Sequence, residues 1–204
     1  MPVLSSPTVG STLHDLTPTL TWNNSTDDDG DPLTYRILID NNSDFSSPEV
    51  DVSNIREGAI GTSYICPALV DDTYYWKVCA NDGAIDSDWS TTWSFTVDTA
   101  VSIVSTIPKD NGYFTLGEDI EIEMRFNREM SSSTMTTENI KVTSEDGEDV
   151  TLRVYVSSVT TIIPSKLAYC TKYTVKVSTG VKDIYLNPLT NPKSFSFTTL
   201  IPEQ

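Results

Sequence analysis

Two acidic stretches hold the residues best suited to chemistry, Asp27-Asp-Asp-Gly-Asp31 and Asn81-Asp-Gly-Ala-Ile-Asp-Ser-Asp88. Calcium takes six to eight oxygens from flexible loops, and carboxylates with an amide oxygen are the groups that supply them. Asp27, Asp29, Asp31, Asn81, Asp82, Asp86 and Asp88 therefore form a candidate calcium set, and calcium is the one cofactor the sequence suggests. The spacing Asp27-x-Asp29-x-Asp31 begins like an EF-hand loop, but Pro32 stands where the sharp turn needs glycine and no glutamate closes the ring. The competing reading is a solvated acidic rim that keeps the protein soluble.

Catalysis has less to stand on. The only histidine, His14, lies in the lead-in to the first strand, with no Gly-x-Ser-x-Gly or other nucleophile setting nearby. No catalytic residue is assigned, and the chain is expected not to be an enzyme. The three cysteines, Cys66, Cys79 and Cys170, are an odd set without metal-ligand spacing. The strand phase points Cys66 inward and Cys79 outward, which predicts no bridge between them, and Cys170 falls in an exposed turn.

The elements that must carry these loops are strands. In Tyr74 to Val97 the apolar residues alternate (Tyr74, Trp76, Val78, Ala80, then Trp93, Phe95, Val97), the period of a half-buried hairpin. The pattern returns later: Tyr173-Thr-Val-Lys-Val177 repeats Tyr74 to Val78, and the shifts from Pro7 to Pro108, Tyr74 to Tyr173 and Phe95 to Phe197 are 101, 99 and 102 residues. The 204 residues thus divide into halves of the size at which an immunoglobulin-like sandwich folds alone. The expectation is all-β, with two tandem immunoglobulin-like β-sandwiches over residues 1–98 and 99–204.

Charge separates the halves. Residues 1–98 hold 16 acids and 3 bases, net −13, whereas residues 99–204 hold 13 acids and 10 bases, net −3. Nothing in such a chain would neutralise phosphates, so nucleic acid is excluded as a partner. No apolar run approaches the length of a membrane span, and any export signal is expected outside this sequence. Asn23, Asn24 and Asn41 open glycosylation sequons on loop-like stretches, where Asn, Ser and Thr are common in any case. Most aromatic residues fall on inward phase, which leaves Tyr75, Trp89 and Tyr113 uncommitted. Trp89 and Trp93, four residues apart, are expected on one face of a strand.

Residues 2–98 resemble a fibronectin type III domain of the kind found in microbial surface proteins and secreted enzymes. The resemblance rests on Pro18-Thr-Leu-Thr-Trp22, Asp29-Gly-Asp-Pro-Leu-Thr-Tyr35, Tyr74-Tyr-Trp-Lys-Val78 and Trp93-Ser-Phe-Thr-Val97. It implies a tyrosine corner at Leu69 and Tyr74, and it implies that the two acidic loops emerge at one pole. From Val101 the chain resembles the Ig-like domain of bacterial surface-layer proteins, through the strand Ile120 to Phe126, Phe126-Asn-Arg-Glu-Met130, Gly180-Val-Lys-Asp183, Asn187-Pro-Leu189 and Phe197-Thr-Thr199. Leu186 stands where that family usually has glycine, which predicts an altered last hairpin loop.

Together these readings imply a structural or adhesive spacer of a microbial cell-surface or secreted protein. It is expected to be extracellular and monomeric, an elongated pair with a short joint near Asp98 to Val101. Its expected partners are neighbouring domains of a longer polypeptide and cell-surface proteins or polysaccharide. The alternative is an accessory region of a secreted multidomain hydrolase that binds carbohydrate or protein.

Overall fold

The computed structural model describes residues 1–115, 121–157 and 160–201. The chain forms two compact units, Met1–Thr99 and Ala100–Gln204, and among the described residues there is no helix.

Unit one contains β1 (Val3–Ser6), β2 (Ser11–Leu13), β3 (Thr19–Asn23), β4 (Thr34–Asp40), β5 (Val50–Arg56), β6 (Gly61–Ile65), β7 (Asp72–Asn81) and β8 (Trp93–Val97). They make a three-stranded sheet, β1-β3-β6, and a five-stranded sheet, β2-β8-β7-β4-β5. Period-two alternation sends Leu20 and Trp22 from the small sheet and Tyr35, Ile37, Ile39, Trp76, Val78 and Phe95 from the large one into a shared core. Trp22 meets Tyr35 edge to face at 5.5 Å, a geometry that suits the ring quadrupoles.

Unit two contains β9 (Ile103–Ile107), β10 (Gly112–Thr115), β11 (Ile122–Phe126), β12 (Ile140–Ser144), β13 (Leu152–Val156), β14 (Thr160–Pro164), β15 (Lys172–Val177) and β16 (Lys193–Leu200). Of the strand expected from Ile120, Ile120 itself lies outside the described residues. The sheets are β13-β14-β11-β9 and β10-β16-β15-β12. The units differ in one strand: β5 pairs with β4 and widens the second sheet, whereas β13 pairs with β14 and joins the first. Unit two therefore has the four-plus-three core of a constant-type immunoglobulin sandwich, with β10 added at the edge.

The repeat read in the sequence is a repeat of contacts. Tyr74 donates its hydroxyl to Val70 O at 3.2 Å, and the Tyr173 hydroxyl accepts from Ala168 N at 2.8 Å. Each ring stacks on the phenylalanine of the next strand, Tyr74 on Phe95 and Tyr173 on Phe197, both at 5.7 Å. These are tyrosine corners in both units, tying the loop before β7 or β15 to its sheet. In each unit the first strand breaks at a cis X-Pro bond, Ser6–Pro7 or Ile107–Pro108. The chain then crosses to the other sheet, where β2 pairs parallel with β8 and β10 pairs parallel with β16.

A buried polar hub holds the long β15–β16 connection. Asp183, fully buried, accepts from Tyr185 N and Asn187 N, both at 2.9 Å, and from Asn187 Nδ2 at 3.0 Å. Arg128 Nη1 lies 3.6 Å from Asp183 Oδ2, the oxygen that also accepts from Asn187 Nδ2. At the turn of this loop Leu186 takes the left-handed φ of 68°, and its side chain is exposed. The Asp183 bonds on either side hold the backbone in a conformation leucine disfavours.

Candidate functional site

The acidic loops of unit one are built from carboxylates that accept from their own backbone. Asp27 Oδ1 accepts from Asp29 N at 3.0 Å and Asp31 N at 3.1 Å, and Gly30 supplies φ 80° for the tight return. Asn81 Oδ1 accepts from Gly83 N at 2.8 Å, while its Nδ2 donates to Asp86 Oδ1, also at 2.8 Å. Asp82 Oδ1 accepts from Ile85 N at 2.8 Å and Ala84 N at 2.7 Å, and these amides hold its carboxyl below the ordinary aspartate value.

A cavity of about 180 Å³ between the loops is lined by Asp27, Asp82 and Asp86 together with Ser25, Thr26 and Ser87. Three of the seven sequence candidates thus share one concavity. Asn81 touches it through Asp86, while Asp29, Asp31 and Asp88 are not part of its lining. Among the described residues no three His, Cys, Asp or Glu side chains are arranged as a ready ligand set. His14, in the lead-in to β3, has its Nδ1 2.7 Å from Asp98 O.

The outer face of the five-stranded sheet carries a cluster that sequence reasoning missed. Lys77 Nζ lies 3.9 Å from the centre of the Phe45 ring and 5.1 Å from that of Trp89, and the Arg36 guanidinium lies 5.8 Å from Trp89. Arg36 also grips Asp51 with two 2.7 Å bonds. Two of the half's three bases share this face, and that was the available signal. Cys79, paired across the ladder with Arg36, points outward as expected yet is 1% exposed. Burial raises its thiol pKa and pushes that of Cys66 up to about 12, so both are inert thiols. All three cysteines are free. The tryptophans do not share a face: Trp93 turns inward to meet Trp76 edge to face at 6.3 Å, and Trp89 lies in the loop before β8 against Arg36 and Lys77. Spacing four implies one face only inside a strand, and β8 begins at Trp93.

The sequon asparagines differ in availability. Asn24 is engaged, donating to Gly58 O at 2.6 Å and accepting from Thr62 Oγ1 at 2.9 Å. Asn23 and Asn41 are exposed, but Asn41 donates its Nδ2 to Asp72 Oδ2 at 3.3 Å and accepts from Asn42 Nδ2 at 2.8 Å. Tyr113 is exposed on β10, and Tyr75 is half-buried.

Comparison with known proteins adds the following. A family model described as a bacterial Ig-like domain matches residues 97–199. No curated protein matches the chain. Among solved structures it is similar to the N-terminal part of the bacterial S-layer protein SbsC, at 17% identity and TM-score 0.41 over 51% of this chain and 24% of that one. It is also similar to the chicken CNTN1 FN1–FN3 domains, at 15% identity and TM-score 0.37 over 97% and 65%. A third similarity is to the fibronectin(III)-like modules of Clostridium thermocellum CbhA, at 13% identity and TM-score 0.33 over 98% and 95%. The chain spans about a quarter of the S-layer chain and just under two thirds of the CNTN1 chain.

Proposed function

We propose, for a chain that belongs through residues 97–199 to the bacterial Ig-like domain family, a non-enzymatic role as a structural and adhesive module of a surface or secreted multidomain protein. Domains of this kind are typical of bacterial surface or multidomain proteins and are generally non-catalytic. Among the described residues no helix is long and apolar enough to cross a membrane.

The observation that carries the reading is the parallel pairing, in each unit, of an early edge strand with the unit's last strand, β2 with β8 and β10 with β16. Tension enters at the start of one strand and leaves at the end of the other. In a parallel pair that direction runs along the ladder, so its hydrogen bonds are loaded together in shear. An antiparallel pair pulled from its open end would break them one after another. A chain meant to carry tension along a polypeptide gains resistance from this layout, and forced unfolding is governed by the unfolding rate that such bonds control.

Single-molecule pulling from the two ends tests this. Two unfolding events are expected, each releasing roughly 340 Å of chain, on the basis of about 100 residues at ~3.4 Å each. Proline at Tyr113 and, separately, at Phe114 should reveal one position at which a ladder donor is lost and the unfolding force of unit two falls. Force peaks that neither substitution lowers would overturn the proposal.

Calcium belongs to the same reading. An ion bridging Asp27 with Asp82 and Asp86 would relieve the repulsion of the loops that line their shared cavity and stiffen that end of unit one.

A further inference from the structure

The outer face of the β10-β16-β15-β12 sheet concentrates positive charge in a chain of net charge −16. Lys141 on β12 stands directly opposite Lys176 on β15, and Lys176 stands opposite Ser194 on β16. Like charges facing each other across an antiparallel ladder are destabilising, because their Cβ atoms are only about 5 Å apart. Lys193 joins them on the rim of one cavity of about 440 Å³, a volume typical of small-ligand sites. None of the three ammonium groups has an ion-pair partner among the described residues. The rest of the lining is mixed: Pro192 is apolar and exposed, Ser194 offers an exposed hydroxyl, and Glu138 brings one carboxylate, while Val177 forms the floor with its side chain buried in the core. Beside the cavity, Gly180 leaves room for the Asn139 side chain, which a Cβ would strike. Asn139 is thereby fixed between Thr134 O and Ser178 Oγ, at 2.9 and 3.0 Å.

We propose that this cavity binds a carboxylate-bearing sugar unit of an acidic polysaccharide. Lys141, Lys176 and Lys193 would meet the carboxylate, Glu138 and Ser194 the ring hydroxyls, and the exposed Pro192 ring the C–H face of the sugar. The single glutamate decides between anions. It would repel a polyphosphate, which has no hydroxyl to donate to it, whereas it accepts readily from a sugar hydroxyl. An unpartnered lysine pair in direct opposition also makes sense once an anion sits between the two. The proposal rests on the adhesive part of the function proposed above, and the pulling experiment does not depend on it.

Affinity electrophoresis and calorimetry of the whole chain test it with four probes: polygalacturonate, a neutral glucan, polyphosphate and polyglutamate. Polygalacturonate should retard the protein, and the effect should fade at high salt. Lys141→Thr with Lys176→Thr should weaken binding at least about tenfold, equivalent to about 1.4 kcal/mol. Threonine suits exposed strand positions, so the fold should persist, and the unliganded melting midpoint should rise as the repulsion is removed. Lys109→Ala with Lys166→Ala removes the same charge away from the cavity and should leave binding intact. Four results would overturn the proposal: no retardation by polygalacturonate, equal loss in both double variants, equal or stronger binding of polyphosphate or polyglutamate, or salt-sensitive self-association in place of sugar binding.

Discussion

Asp183 shows how much a single side chain can organise. Its carboxylate answers two backbone amides and the Asn187 amide, and it stands 3.6 Å from Arg128, with both charged groups almost wholly buried. Removing one partner of a buried pair leaves an uncompensated charge, at a cost of about 3–5 kcal/mol. Against a domain stability of about 5–15 kcal/mol, Asp183→Ala should bring unit two close to unfolding, seen as a large drop in urea midpoint. A midpoint within experimental error of wild type would show that the hub holds the loop without holding the fold. At the surface the balance is different. Two hydrogen bonds from Arg36, reinforced by its charge, hold the Asp51 carboxyl below its ordinary value, and the Ile85 and Ala84 amides do the same for Asp82. A carboxyl whose folded pKa is depressed stabilises the fold above its unfolded value near 3.9 and ceases to do so as pH falls through the folded one. Unit one should therefore lose stability below about pH 4, modestly because both groups face solvent and salt screens them. Asp51→Asn should flatten that acid limb, and an unchanged limb would assign it to other groups.

At the scale of elements, the acidic loops make the test of calcium specific. Millimolar calcium against chelator should raise the melting midpoint if the ion binds the folded state. The substitutions to compare are Asp82→Asn with Asp86→Asn, which face the shared cavity, and Asp29→Asn with Asp31→Asn, which do not line it. A rise lost only in the first pair locates the ion between the loops, and identical melts in calcium and chelator would leave an acidic rim. The strands themselves were legible in advance because period-two alternation is a strong signal: Tyr74, Trp76, Val78 and Phe95 are inside as their phase requires. What phase could not show is what covers an outward residue. Cys79 and Leu38 are buried on the outer face, where Phe45 and Trp89 arrive from distant loops to meet Lys77. Loop carboxylates were hidden for a related reason, since an aspartate that accepts its neighbours' amides has the same sequence signature as one that awaits a cation.

Across the whole molecule the two units share a contact plan but not a charge. Unit one carries most of the net charge of −16, so self-repulsion opposes its compact state more than that of unit two. Added monovalent salt screens such repulsion over roughly 10 Å at 0.1 M. It should raise the midpoint of unit one and leave that of unit two nearly unchanged; equal shifts would show that the acid excess is too dispersed to matter. The placement of the tryptophans makes this measurable without cutting the chain. Trp22, Trp76, Trp89 and Trp93 all lie within Met1–Thr99, two of them buried and two half-buried, while Ala100–Gln204 has only tyrosine and phenylalanine for chromophores. Excitation at the red edge of the indole band reads unit one alone, and far-ultraviolet circular dichroism reads both sandwiches. The difference between the two melting curves is then the unfolding of unit two, recorded in an unlabelled, unmutated chain.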